Sequence, residues 1–222
     1  MNYYTINTSD DLKIIGHYPQ TRIRVDSGEN VRVDGYLAMK ANDFPDFVPN
    51  FKLELHHKAK PTNFLPKDPA SFGWIIDDKL KSIIEKYKLP RHHFYKIKVY
   101  HKNEILNYYW FHYIVDDFWD FIDTDKSYVE VFKFETPFDI KVIKNIPIIS
   151  QNQIIEEEEK YDYGNIRIGS IKMNKYFPKY DLYQTRCINY NTIISENLRN
   201  DLIKEGMTGF ETKLYDKFET TD

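Results

Sequence analysis

The sequence predicts a mixed α+β protein built mostly on antiparallel sheet, and three observations carry that expectation. Residues 51–55 and 95–99 alternate apolar with polar side chains, the period-two pattern of half-buried strands. Leu80, Ile83, Ile84 and Tyr87 recur at the spacing of one helix face, and Leu198, Leu202 and Ile203 form a second such face. Aromatics are abundant, at Tyr 18, Phe 15 and Trp 3, and such side chains favour pleated, half-buried surfaces. The 222 residues suit a single domain over 1–222, with 1–70 as a strand-rich N-terminal lobe, and can bury a core without a disulfide or metal staple.

Along the chain, 1–49 reads as short strands and turns: 22–25 and 31–33 flank the turn-rich 26–30, and the two prolines of 43–49 mark a loop. Phe51, Leu53 and Leu55 form one face of a strand. Residues 56–71, rich in Pro and Lys, are expected as an exposed connection. Trp74-Ile75-Ile76 is a short strand, and Asp77 is positioned as the N-cap of a helix that Pro90 stops. Tyr95, Ile97 and Val99 alternate with lysines as the next strand. After the polar turn 101–104, residues 105–115 are apolar on both faces, which predicts a central strand. Residues 116–127 read as a loop or one helical turn, 128–134 as a strand, 151–160 as an exposed helix, and 165–171 and 184–189 as strands. In the last unit, 192–194 is a strand, Ser195 an N-cap, Gly206 a helix-ending residue at positive φ, and 210–215 the exit strand. The stretches 75–81 and 193–199 have the same strand–helix–strand pattern. That pattern is either an internal duplication or one local solution reached twice.

Composition excludes several function classes. A net charge of −3 lacks the clustered basic footprint of a nucleic-acid binder, so no nucleic-acid partner is expected. Cys187 is the single cysteine, which fits a reducing compartment. Residues 1–12 lack a signal-peptide pattern, and no apolar run is long enough to span a bilayer, so a cytoplasmic location without membrane contact is expected. Charge is uneven: 51–102 holds 12 basic and 5 acidic residues, whereas 103–163 holds 5 and 14. The two stretches can neutralise each other in the fold, or the second can form an acidic face that steers a basic partner.

No catalytic, metal or cofactor site assembles from the sequence. The pairs His56-His57 and His92-His93 place neighbours on opposite faces of a strand, which is poor geometry for ligating one ion. His17, His101 and His112 are isolated, with His92-His93 expected in the turn after Pro90 and His112 as a core histidine. Residues 164–169 lack the spacing of a phosphate-binding glycine loop, and the glycines at 206 and 209 follow a helix instead of opening one. The richest constellation is the interleaved Asp116, Asp117, Phe118, Trp119, Asp120, Asp123 and Asp125, which lacks the pattern of a calcium loop. It suits either an ordinary loop whose aromatics tuck under the sheet or a negative rim around apolar anchors.

Gly73-Trp74-Ile75-Ile76-Asp77-Asp78-Lys79-Leu80, continued by Tyr87, Leu89-Pro90 and Phe94-Tyr95 to Ile114, resembles immunity proteins of bacterial polymorphic toxin systems. So do Ile122-Asp123 with Ser127, and the ending Ile193-Ile194-Ser195-Glu196-Asn197-Leu198, Leu202 and Gly206-Met207-Thr208-Gly209-Phe210-Glu211. The likeness spans 71–222, about the last two-thirds of the chain. It implies a protein that binds and occludes a cognate toxin domain without catalysis or cofactor. The matched residues are cap and core positions and do not carry over as toxin contacts. The residues expected to face a partner are therefore Asp116, Asp117, Phe118, Trp119, Asp120, Asp123 and Asp125, together with Glu156, Glu157, Glu158 and Glu159. Two alternatives stand beside this: a hydrolase pairing His with Asp or Glu, and an adaptor that binds some other protein.

Overall fold

A computed structural model describes residues 1–24, 39–47, 52–66, 72–136, 139–161, 165–185 and 190–221. The strand at 31–33 and its leading turn, Pro49, Phe51, Cys187 and the end of the 184–189 strand lie outside them. The chain forms two compact units. One comprises Met1–Thr5, Val115–Glu196 and Lys213–Asp222, and the other Ile6–Ile114 and Asn197–Thr212. Strand pairing is mostly antiparallel, as the sequence predicts, with Lys52–Leu55 parallel to Arg91–His101 and Ile166–Met173 parallel to Phe218–Thr220 among the described pairs.

The second unit holds a six-stranded sheet in the order β2-β3-β6-β7-β5-β4. Its strands are β2 (Thr21–Ile23), β3 (Lys52–Leu55), β4 (Phe64–Leu65), β5 (Trp74–Asp77), β6 (Arg91–His101) and β7 (Glu104–Ile114). β3 runs parallel to β6, and the other pairs are antiparallel. One face of the sheet buries Leu53, Leu55, Ile97, Val99, Tyr108 and Trp110 in a common core. β7 is interior, as its two-sided apolar pattern requires. Helix α1 (Leu12–Ile15) precedes β2, and α2 (Asp78–Ile84) follows β5. The Asp77 carboxylate accepts the Leu80 N–H at 2.8 Å, so the expected cap is present. α2 ends at Ile84, before Tyr87 and well before Pro90.

Two expectations are corrected in this unit. His92 and His93 lie on β6, not in a turn, because the β6–β7 ladder runs unbroken from Arg91 opposite Ile114 to His101 opposite Glu104. Residues 56–71 are not simply an exposed connection: Ala59, Thr62, Phe64 and Leu65 are buried, and β4 pairs with β5. Two apolar residues among prolines give no periodic signal, although Phe64 and Leu65 fill the sheet edge.

The first unit holds the sheet β14-β10-β8-β9. Its strands are β8 (Tyr128–Thr136), β9 (Asp139–Pro147), β10 (Ile166–Met173) and β14 (Phe218–Thr220). Helices α3 (Phe118–Phe121) and α4 (Gln151–Lys160) belong to it. α4 is started by Ser150, whose hydroxyl accepts the Gln153 N–H at 3.2 Å. A second sheet has the order β11-β12-β1-β13, from β1 (Tyr3–Thr8), β11 (Leu182–Gln184), β12 (Thr192–Ser195) and β13 (Phe210–Leu214). Helix α5 (Glu196–Lys204) follows β12. It ends as expected, with Gly206 at φ 67°. The Gly206 and Met207 N–H groups return to the Ile203 and Leu202 carbonyls at 3.0 and 2.9 Å, a closure that needs a left-handed residue.

This last sheet repeats the order β4-β5-β7-β6, and the likeness reaches single hydrogen bonds. Phe64 faces Ile76 as Leu182 faces Ile194. Asp77 faces Tyr108 as Ser195 faces Tyr3. The Asp77 N–H donates to the Asn63 carbonyl at 3.0 Å, and the Ser195 N–H to the Asp181 carbonyl at 2.8 Å. Between the same positions, Asn63 Nδ2 donates to Asp77 at 2.7 Å and Ser195 Oγ to Asp181 at 2.6 Å. The buried Tyr108 hydroxyl donates to the Thr62 carbonyl at 2.7 Å, and that of Tyr3 to the Tyr180 carbonyl at 3.0 Å. Tyr109 is bonded to Asp78, at the start of α2. Tyr4 donates to Glu196, at the start of α5, at 3.4 Å. One constant offset in numbering relates the two copies from β4 through β6. The counterpart of β7 is β1, supplied from the far end of the chain.

Candidate functional site

The acidic–aromatic segment follows β7 and is fixed from below. The Asp117 carboxylate accepts the Tyr183 hydroxyl at 2.8 Å and the Tyr180 hydroxyl at 3.2 Å. The two tyrosine rings stack at 5.5 Å. Burial first, and then the Asp117 charge, pushes Tyr180 up to about 12 and raises Tyr183 further. Both phenols therefore remain donors to Asp117 across the physiological range. Phe118 is buried at 1% exposure, with Trp119 half-buried edge-on to it at 5.2 Å. Asn174 holds the other end, with its N–H on the Phe121 carbonyl at 2.7 Å and its amide on the Asp120 carbonyl at 3.0 Å. The Asp123 N–H donates to the Lys172 carbonyl at 2.7 Å, and its carboxylate pairs with Lys126 at 3.1 Å.

This anchoring sorts the residues. Asp117 and Phe118 face inward and hold the turn. Asp116, Asp120 and Asp125 are exposed, while Trp119 and Asp123 are half-buried. On α4, Ile154 is the buried residue. Glu156 and Glu159 are exposed, and Glu157 and Glu158 are half-buried. Glu157 pairs with Lys160 at 3.0 Å. The two acidic stretches sit on separate elements of one unit.

Besides the placement of His92 and His93 on β6, the histidines differ from the sequence reading in one further place. His17 and His56 stack at 3.4 Å between ring centroids, with His57 a further 4.2 Å from His56. Nothing in the sequence signals this meeting, because His17 is brought there by the α1 turn. Burial and the neighbouring His17, His57, Lys58 and Arg22 charges lower the His56 pKa. His92 contacts the Pro90 carbonyl at 2.9 Å and the Phe94 and Phe111 rings, and His93 lies against Tyr95. His112 is fully buried between Trp110, Phe44 and Phe72, with Nε2 at 3.3 Å from the Ala41 carbonyl. Burial pushes its pKa down.

Among the described residues, no group of three His, Cys, Asp or Glu is placed to hold a metal ion, and no helix is long and apolar enough to cross a membrane. No protein-family model matches the chain, and no curated protein does either.

Proposed function

We propose that the chain is a cytoplasmic immunity protein that neutralises a cognate toxin by stoichiometric binding. Resemblance of the strand–helix units and the Gly206–Phe210 ending to such proteins supports the reading. The observation that carries it is the framed acidic turn. Asp117 and Phe118 are committed inward, so Asp116 and Asp120 project from a backbone that hydrogen bonds already hold. A pre-ordered rim loses little entropy on association, and a negative one raises the encounter rate with a basic surface. Glu156 and Glu159 on α4 extend the same charge. The complex would bury on the order of 1,600 Å².

The test is co-expression with the toxin encoded beside this gene. Relief of growth arrest in a pull-down-positive pair supports the proposal, and unrelieved toxicity defeats it. Alanine at Asp116, Asp120, Asp125, Glu156 and Glu159 is expected to slow association about tenfold or more at low salt and to change dissociation less. Unchanged association kinetics would remove this face from the interface.

A further inference from the structure

We infer that the open face of the six-stranded sheet is a second docking surface, one that takes an acidic protein segment. This surface is independent of the toxin-binding reading. Residues directly across a sheet share a face. Lys52 lies opposite Lys98, which lies opposite Asn107, and Lys96 lies opposite Tyr109. These residues therefore share the face turned away from the Leu53, Ile97 and Val99 core. Among the described residues, the seven-residue α2 covers one end of it, where the Lys81 ammonium sits 4.9 Å from the Phe94 ring centre and 5.3 Å from that of Tyr109. Beyond α2, Lys96, Lys98 and Asn107 are exposed, and among the described residues neither lysine has an ion-pair partner. Arg22 and Arg24 add positive charge at the β2 edge, Arg24 stacked 4.3 Å over Tyr100.

A recess of about 190 Å³ opens on this face, lined by Asp78, Lys96, Ile97, Asn107, Tyr108 and Tyr109. It has room for one partner side chain. A segment that turns a neutral donor toward Asp78 and an acid toward the Lys96 ammonium and the Asn107 amide matches this lining. Two carboxylates also border the face, Asp78 in the recess and Glu54 paired with Arg22 at 2.9 Å. A continuous phosphate backbone would meet repulsion at both. A protein segment can alternate an acid with a neutral donor, and so fits better.

The repeated sheet lacks these lysines. At the positions equivalent to Asn107, Tyr108 and Tyr109 it keeps Asn2, Tyr3 and Tyr4. At those of Lys96 and Lys98 it has Leu214, which is 53% exposed, and Asp216. The basic pair is not repeated, and β13 ends at Leu214, so Asp216 lies beyond that strand.

The double variant Lys96→Leu/Lys98→Asp removes both positive charges and adds one negative charge on this face. A labelled peptide alternating glutamate with serine, titrated into the full chain by fluorescence anisotropy, is expected to bind, to weaken as salt is raised, and to bind the double variant at least tenfold more weakly. Lys86→Ala, outside the face, is expected to bind like the parent. Nuclear magnetic resonance mapping on the unsubstituted chain supplies a readout independent of variant folding, with shifts expected at Lys52, Lys96, Lys98 and Asn107. No binding, equal binding by the double variant, shifts elsewhere, or tighter binding of a single-stranded oligonucleotide than of the peptide would each overturn the inference.

Discussion

Asp117 carries more of the local structure than any other acid of its segment. It is the shared acceptor of one buried phenol, Tyr183, and one half-buried phenol, Tyr180, and hydrogen bonds to a charged partner contribute about 1.5–3 kcal/mol each. Asp117→Asn is expected to lower stability by roughly 2 kcal/mol in denaturant melts. The same change should bring Tyr180 down from about 12 in an ultraviolet-monitored alkaline titration. Asp116→Ala, at an exposed position, should shift the melt by less than about 0.5 kcal/mol. A run of aspartates among aromatics shows that some acids face out and some rings face in. It does not show which, because that choice is set by Tyr180 and Tyr183, far along the chain. His112 gives a pH prediction. Its folded pKa lies below the ordinary histidine value of about 6.5, so the unfolded chain binds the extra proton. Stability from this group is full above that pH and declines as pH falls below it. The Asp43 charge opposes the shift and His93 adds to it. Denaturant midpoints measured from about pH 8 to pH 5 should show the decline, and His112→Phe, which keeps the aromatic packing, should flatten it.

Elements with local signals were legible. Asp77 caps α2, Gly206 closes α5, and the alternation at 95–99 gives β6, because each needs only neighbours in sequence. Asp77→Ala should cost about 1 kcal/mol. Gly206→Ala should cost a similar amount, about 1 kcal/mol, since a Cβ is strained at that φ even though nothing crowds it. Both are read by thermal unfolding. Elements without local signals were not legible. β4 has two residues and β14 three, too few for periodicity. β9 breaks its alternation at Val142-Ile143, where the pairing with β8 shifts register, and it is exposed from Asp139 to Asn145, so its pattern does not mark a buried face. The repeated strand–helix–strand pattern was visible at 75–81 and 193–199. Its full extent required the pairings of Tyr3 and Tyr108, which no one-dimensional comparison aligns, since β1 precedes its copy and β7 ends its own. Tyr3→Phe and Tyr108→Phe each remove one buried O–H···O=C bond and leave a carbonyl unpaired. Matched losses of about 1–2 kcal/mol are expected, and a loss at only one site would show that the two positions are not energetically equivalent.

At the scale of the whole chain, the uneven charge along the sequence falls on different elements. The basic stretch contributes Lys52, Lys96 and Lys98 to one sheet face, and the acidic stretch contributes Asp116, Asp120, Glu156 and Glu159 to α3, α4 and their flanks. Exposed charges of this kind add little to folding, so their removal should leave the unfolding midpoint nearly unchanged while altering association. The mostly antiparallel α+β class was legible because composition and period act everywhere at once, whereas the convergence of His17 on His56 depended on a single turn. The placement of β1 has one more effect, on biosynthesis. Residues 3–8 are translated long before β12 and β13, the strands that flank them. At roughly 5–20 residues per second the nascent strand waits on the order of ten seconds or more with both edges bare, and for that interval it is the segment most in need of a chaperone.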